Sequence, residues 1–262
     1  MILFPCGFFG GTASTVEPDP YFANVTLLLG FDSPGGSAVV NSAPTGGSWT
    51  WTGSAISISG ADAIVGSGAL LFGSSGGNGN TGSETVVLGT ASACGCDFGT
   101  GDFTIELYAK IGNTASNTYA ITIFGSFNGN QSSPTAGEFN IQVAAYSAGS
   151  GLPAVVSFFA RDTGSKIISS TGVTVGTGDF VHIAVCRAGD TIRMFVDGVF
   201  VKSDTGWGAI NVGYGSSPVR LGGEDNNNDF IGVIDELRVT KGVARYTTDD
   251  SFTPPSAPYP RA

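Results

Sequence analysis

Apolar and polar residues alternate along most of this chain in short runs, and clusters of Gly, Ser, Asn and Asp separate one run from the next. A period of two puts residues i, i+2 and i+4 on one face of a pleated strand, so each run reads as a strand with one buried side. The runs predict strands at 25–31, 37–40, 48–51, 55–59, 68–73, 84–88, 103–111 and 119–126. Others follow at 137–146, 153–161, 165–175, 180–187, 191–197, 199–204, 218–222 and 230–239. No window of eleven or more residues holds a helical period. Between Val196 and Val199, the pair Asp197-Gly198 supplies the two positive φ angles of a tight hairpin. The pentapeptide Gly99-Thr-Gly-Asp-Phe103 returns as Gly176-Thr-Gly-Asp-Phe180, each copy ahead of a strand, and reads as a reused turn, not a duplicated domain. Many short strands without helices make an all-β sandwich or barrel.

Composition adds limits. Gly supplies 41 of 262 residues and charged residues only 12%, which suits strands joined by turns, and the length fits one β-sandwich domain. Against 21 acidic residues stand 11 basic ones, scattered along the chain, for a net charge of −10. A phosphate backbone needs a clustered basic stripe, so no nucleic acid partner is expected, and no anionic membrane surface. A mean hydropathy of +0.20 with so few charges fits either a large core or a surface partly covered in an assembly. Cys6, Cys94, Cys96 and Cys186 are too few and too irregular for a disulfide framework. Cys94-Gly-Cys96 lacks the two-residue spacing of a zinc knuckle or redox site, so free thiols are expected.

Few residues are patterned for catalysis. His182 is the only histidine and alternates with Val181, Ile183 and Val185, as a hydrogen-bonded structural histidine would. Gly73-Ser-Ser-Gly-Gly77 spells a nucleophile elbow without the strand-to-helix turn that motif needs, and Gly77-Asn-Gly-Asn-Thr-Gly82 spells a dinucleotide fingerprint without a βαβ unit. Sandwich glycosidases set two carboxylates on one strand face; Glu106 shares its face with Tyr108 but lacks the second acid, so a hydrogen-bonded or rim carboxylate is expected.

Binding chemistry has more candidates. Asp225-Asn-Asn-Asn-Asp229 with Glu236 meets an EF-hand spacing except for Phe230 at the Gly position, and no helices flank it. Asp225, Asn227 and Asp229 remain a candidate calcium site at a sandwich rim, although the same residues suit a plain turn; no other cofactor is expected. Sugar faces need aromatic platforms and planar polar groups. Trp207, set between Gly206 and Gly208, and Tyr214 are the candidate platforms, with Asp225, Asn226 and Asn227 as hydrogen-bonding partners. Trp49 and Trp51 point to one side of a strand and fit the core equally well.

Several stretches also carry a family resemblance. Val25-Thr-Leu-Leu-Leu-Gly-Phe-Asp32, Gly101-Asp-Phe-Thr-Ile-Glu-Leu-Tyr-Ala-Lys110 and Phe230-Ile-Gly-Val-Ile-Asp-Glu-Leu-Arg-Val239 resemble the opening, central and closing strands of concanavalin A-like, laminin-G-like jelly rolls. Val181-His-Ile-Ala-Val-Cys-Arg187 with Ile192-Arg-Met-Phe-Val-Asp-Gly198 resembles their core hairpin. Thr240-Lys-Gly-Val-Ala-Arg-Tyr246 and the Pro-rich end Phe252-Thr-Pro-Pro-Ser-Ala-Pro-Tyr-Pro260 are similar to a version in tailed-bacteriophage structural proteins. The resemblance implies a jelly-roll β-sandwich of two antiparallel sheets with an extended N-terminal arm. It also implies a non-enzymatic virion component: a head decoration, fibre or tail accessory. The fold hosts several functions, so a receptor-recognising lectin and a polysaccharide-degrading glycosidase are the alternatives. Some family members hold calcium at a rim, and Asp32 and Asp235 fall at acidic family positions.

The first residues differ from the rest. Met1-Ile-Leu-Phe-Pro-Cys-Gly-Phe-Phe-Gly-Gly11 is apolar but lacks a positive flank, is broken by Pro5, Gly7 and Gly10, and is too short to cross a membrane. Residues 1–22 read as an anchoring arm and linker, residues 23–262 as the sandwich. Ile2, Leu3, Phe4, Phe8 and Phe9 need cover, from their own domain or by docking on a capsid or tail protein. The expected setting is the virion surface, after synthesis in the bacterial cytoplasm, as a homo-oligomer with trimeric symmetry and with host or environmental glycans as outward partners.

Overall fold

Phe103–Ile111 shows how alternation becomes a core: Phe103, Ile105, Leu107, Ala109 and Ile111 join the apolar interior, and Thr104, Glu106 and Tyr108 take the opposite face. The computed structural model describes residues 17–51, 53–73, 84–112, 121–126, 136–144, 155–170, 178–223 and 230–261. A 3-10 turn, Phe22–Asn24, leads into β1 Val25–Leu29, β2 Val39–Val40, β3 Ser48–Trp49, β4 Ile56–Ser59, β5 Ala69–Phe72, β6 Val86–Thr90, β7 Phe103–Ile111 and β8 Ile121–Gly125. Then come β9 Phe139–Ala144, β10 Val155–Arg161, β11 Ser165–Ser169, β12 Phe180–Ala188, β13 Thr191–Val196, β14 Val199–Asp204, β15 Pro218–Leu221 and β16 Gly232–Lys241. Each run read from the sequence overlaps one of these strands.

The strands form a two-sheet antiparallel sandwich. The larger sheet runs β14-β13-β12-β7-β16-β5-β4, with β1 also on β16; the smaller runs β11-β10-β9-β8-β15-β6, and β2 pairs with β3. Neighbours such as β7 and β16, or β8 and β15, lie far apart in sequence, which is jelly-roll crossover topology. The predicted hairpin joins β13 to β14, with φ of +51° at Asp197 and +72° at Gly198.

β16 organises the larger sheet. It pairs with β7, with β5 through Gly232–Ile234, and with β1 from Leu237 to Thr240. A bulge between Asp235 and Arg238 separates these partners, and there Glu236 adopts φ +46°, a left-handed conformation unusual outside glycine. Asp235 fixes it: Oδ2 accepts from the N–H groups of Ile64 (3.0 Å) and Val65 (3.3 Å), and Oδ1 from that of Glu236 (2.8 Å).

A buried cation closes one end of the sandwich. Arg187 lies over the Phe103 ring at 4.9 Å and donates to the carbonyls of Gly99 (2.7 Å), Gly101, Ile210 (2.8 Å) and Trp207 (3.4 Å). Burial holds its guanidinium down at about 10. At the N-terminal side the sandwich claims part of the expected linker: the Asp19 carboxylate is buried and accepts from Arg245 at 3.0 and 2.7 Å and from Arg238 at 3.2 Å. Ile2, Leu3, Phe4, Phe8 and Phe9 lie outside the described residues.

Phe139 sits at the centre of the aromatic core, against Phe98 (5.4 Å between centroids), Phe124 (5.9 Å) and Phe158 (6.4 Å). Phe139→Ala is expected to cost about 3–5 kcal/mol, read as a lower midpoint in urea unfolding with an unchanged slope.

Candidate functional site

The outer face of the larger sheet carries a buried polar network. Glu106 Oε1 accepts from Arg238 Nε (2.9 Å) and Nη2 (2.8 Å), and Oε2 accepts from the Tyr246 hydroxyl (2.7 Å). Burial alone would raise this carboxyl, but the charge of Arg238 and the His182 and Tyr246 contacts outweigh it and hold Glu106 well below the usual carboxylate range. His182 is fully buried; its Nε2 lies 3.3 Å from the Tyr259 hydroxyl and 3.6 Å from Glu106 Oε2, and its Nδ1 has no hydrogen-bond partner. The histidine is thus buried and hydrogen-bonded, as its alternation with apolar neighbours suggests, but through one nitrogen only.

The C-terminal segment covers this face as a strap. Tyr246 stacks on Phe252 at 4.0 Å, the Tyr108 hydroxyl donates to Pro255 O at 2.5 Å, and the Arg238 guanidinium lies 3.8 Å over the Tyr259 ring. At its end, Arg261 donates to Ser42 Oγ (2.9 Å) and Asp32 Oδ2 (2.5 Å), beside a pocket of about 140 Å³ lined by Gly30, Asp32, Ser42 and Ile58 among others.

Trp207 does not offer a platform. It is 0% exposed, packs on Phe158 at 5.9 Å and donates from Nε1 to Asp204 Oδ2 at 2.8 Å. The flanking glycines fold the loop inward: the N–H groups of Gly206 and Gly208 donate to the two Asp190 carboxylate oxygens (2.9 and 3.0 Å), and Trp207 N–H donates to Asp190 O (3.0 Å). This clamp puts the indole in the core. Tyr214, by contrast, is 46% exposed and donates its hydroxyl to Asp162 Oδ1 at 2.9 Å. Trp49 and Trp51 are half-buried against the core. Asp225, Asn226, Asn227 and Asp229 lie outside the described residues, and among the described residues no three His, Cys, Asp or Glu gather as metal ligands.

The smaller sheet presents a different outer face, which sequence reasoning missed. With Phe139, Ile141 and Val143 in the core, Asn140 and Gln142 take the opposite side of β9. Register then sets Ser169, Ser157, Gln142 and Thr122 in one row across β11, β10, β9 and β8. Ile167, Phe159, Asn140, Gly125, Arg220 and Val87 form the next row. Asn140 is fully buried; its Nδ2 donates to Thr122 Oγ1 and Gln142 Oε1, both at 3.0 Å, and its Oδ1 has no partner. An unpaired buried amide oxygen costs about 1–3 kcal/mol and is satisfied by a hydroxyl donor. More exposed apolar groups, Ile167 at 52% and Phe159, flank it.

A profile of the concanavalin A-like lectin/glucanase superfamily matches residues 80–245. The chain belongs to this superfamily. Among solved structures, domain 4 of AbnA, a GH43 extracellular arabinanase from Geobacillus stearothermophilus, in complex with arabinotriose, is similar, with TM-score 0.57, 19% identity and coverage of 85% of this chain and 94% of that one. The binding domain of Paraclostridial Mosquitocidal Protein 1 is also similar (TM-score 0.61, 12% identity, 84% of this chain, 49% of that one). So is botulinum neurotoxin type C, described as entering cells dependent on two ganglioside molecules (TM-score 0.60, 12% identity, 85% of this chain, 49% of that one). The superfamily member thus spans about half the length of those toxin chains. No curated protein sequence shows significant similarity.

Glu106→Gln is expected to destabilise by about 3–5 kcal/mol, because it leaves the buried Arg238 charge short of its main partner. The wild-type carboxyl is depressed on folding, so its contribution is present above the unfolded value of 4.5 and is lost as pH falls below it. Thermal unfolding from neutral pH to below 4 should therefore show a wild-type decline that is blunted in E106Q.

Proposed function

We propose that this chain is a non-catalytic, carbohydrate-binding module, with sugar taken on the outer face of the smaller sheet. The observation that carries the reading is the polar row across the smaller sheet, where Gln142 and Ser169 reach the surface, the buried Asn140 orients the Gln142 amide by donating to its Oε1, and Phe159 and Ile167 give the apolar flank. The non-catalytic part rests on Glu106. A sandwich glycosidase needs an accessible carboxyl held protonated near neutrality beside a second one; Glu106 is pushed the other way with both oxygens committed to Arg238 and Tyr246, and Asp235, which burial pushes up to about 7 beside Glu236, is fully buried with both oxygens committed to backbone N–H groups. The arabinotriose and ganglioside relatives lend support as binding domains of the same fold.

In this reading the module is displayed on a phage particle, attached through residues 1–16 and assembled as a homo-oligomer. Support comes from the resemblance of residues 240–246 to a segment of tailed-bacteriophage structural proteins.

A glycan array with the purified chain should give retained ligands, and Asn140→Ala and Gln142→Ala should each weaken the best one about 3- to 10-fold, Gln142→Ala with unchanged thermal unfolding and Asn140→Ala with unfolding no lower than that of the wild type. An empty array at high protein concentration, or equal binding by both variants, would sink the sugar reading. Attachment is tested separately: a chain starting at Glu17, which keeps Asp19 and its two arginines, should remain folded but fail to co-sediment with particles.

A further inference from the structure

The chain leaving β1 meets the end of the strap at the pocket beside Arg261, which shares no residue with the polar rows of the smaller sheet. Phe31 (φ +54°) and Glu236 (φ +46°) both take the left-handed conformation that side chains rarely adopt, and Gly30 lies against both. A Cβ on Gly30 would stand 2.8 Å from Glu236 Oε1 and 3.0 Å from Asp32 Oδ2, and would collide with Arg261 Nη2. Backbone strain of this kind clusters at ligand clamps. Asp32 is fixed from its other side, where Oδ1 accepts from the Ser67 N–H at 2.7 Å. Arg261 spends Nη1 on Ser42 Oγ and Nη2 on Asp32 Oδ2, and its Nε has no partner among the described residues. The Arg261 and Asp32 side chains stay 40% and 27% exposed, so this ion pair, unlike that of Glu106 and Arg238, is open to a ligand. Ala38, Val40 and Ile58 supply the apolar part of the lining.

We propose that this pocket is a second binding site, for one neutral sugar ring held through a vicinal diol. One hydroxyl donates to Asp32, its neighbour accepts from Arg261, and a C–H face of the ring rests on Val40 and Ile58. The ion pair selects against charged ligands. An anion drawn to Arg261 would face Asp32 and, behind Gly30, Glu236; a cation drawn to Asp32 would have to displace a guanidinium 2.5 Å away. A hydroxyl pair that donates at one atom and accepts at the next meets both members of the ion pair without separating them. The volume sets the size. A cavity of about 150 Å³ holds a single benzene-sized ring, so one of about 140 Å³ takes one ring and not a chain. The site stands or falls independently of the smaller-sheet reading.

Titrating the isotope-labelled chain with galactose, mannose, arabinose and myo-inositol should move the amide signals of Gly30, Ser33 and Ser42, with a Kd on the order of 1 mM for the best of them. Val40→Trp, which fills the pocket and leaves the ion pair in place, and Arg261→Ala should each weaken that sugar about 10-fold or more, while Gln142→Ala should leave it unchanged. The tryptophan variant keeps the test decisive if loss of Arg261 loosens the strap. Equal affinity for the methyl glycoside assigns the end of a glycan chain, and binding of the free sugar alone assigns a free polyol. Still signals at these amides with every probe, undiminished binding by Val40→Trp, or tighter binding of acetate, methylammonium or calcium overturns the proposal. Movement confined to Gln142 and Ser169 overturns it while leaving the smaller-sheet reading intact.

Discussion

The Glu106–Arg238 ion pair sits where an outward sheet face would otherwise meet water, and the positions of Asp19 and of the C-terminal strap follow from it. Removing two charges from solvent costs several kcal/mol per ion, and mutual attraction offsets this only when every remaining donor and acceptor is also met. Here the partners come from four places: Glu106 from β7, Arg238 from β16, Asp19 from the entering chain, and Tyr246 with Arg245 from the strap. The pair is tolerable only with the strap in place, and the strap is held in turn by the pair. Aromatic cover from Phe252, Tyr259 and Phe195 completes the exclusion of water.

This mutual dependence gives the segment that follows β16 a physical meaning. Arg245 and Tyr246 are spent inside the domain, on Asp19 and Glu106. Closure of the larger sheet accounts for both side chains. The same logic removes Glu106 as a glycosidase acid: a carboxylate clamped by an arginine and a tyrosine cannot deliver a proton at neutral pH.

The fold was legible because a period of two is written locally; Phe103–Ile111 declares its core face without reference to any other strand. The candidate site was not, because its residues share a face only after pairing. Ser169, Ser157, Gln142 and Thr122 come from four strands whose register the sequence leaves open. One signal was present: Phe139-Asn-Ile-Gln-Val143 alternates aromatic or aliphatic residues with planar amides, a pattern a water-facing strand has little reason to favour over charge. Trp207 failed for the opposite reason. Glycines on both sides suggest an exposed loop, but the Asp190 clamp that folds it inward lies sixteen residues away from Gly206, and its effect is visible only in three dimensions.

The two sheets therefore resolve their outer faces differently, and the difference bears on function. The larger sheet meets its buried Glu106–Arg238 pair with its own tail, although His182 Nδ1 and Glu236 Oε1 are left without a partner. The smaller sheet keeps Asn140 Oδ1 buried and unpaired, a cost of about 1–3 kcal/mol that folding alone gives no reason to retain. A Ser or Ala at that position would remove the penalty without disturbing the core side of β9. What Asn140 does provide is orientation: its Nδ2 fixes the amide of Gln142, which reaches the surface beside Ser169, Phe159 and Ile167, and a planar amide with hydroxyl and apolar neighbours matches a sugar, dense in hydroxyls that both donate and accept.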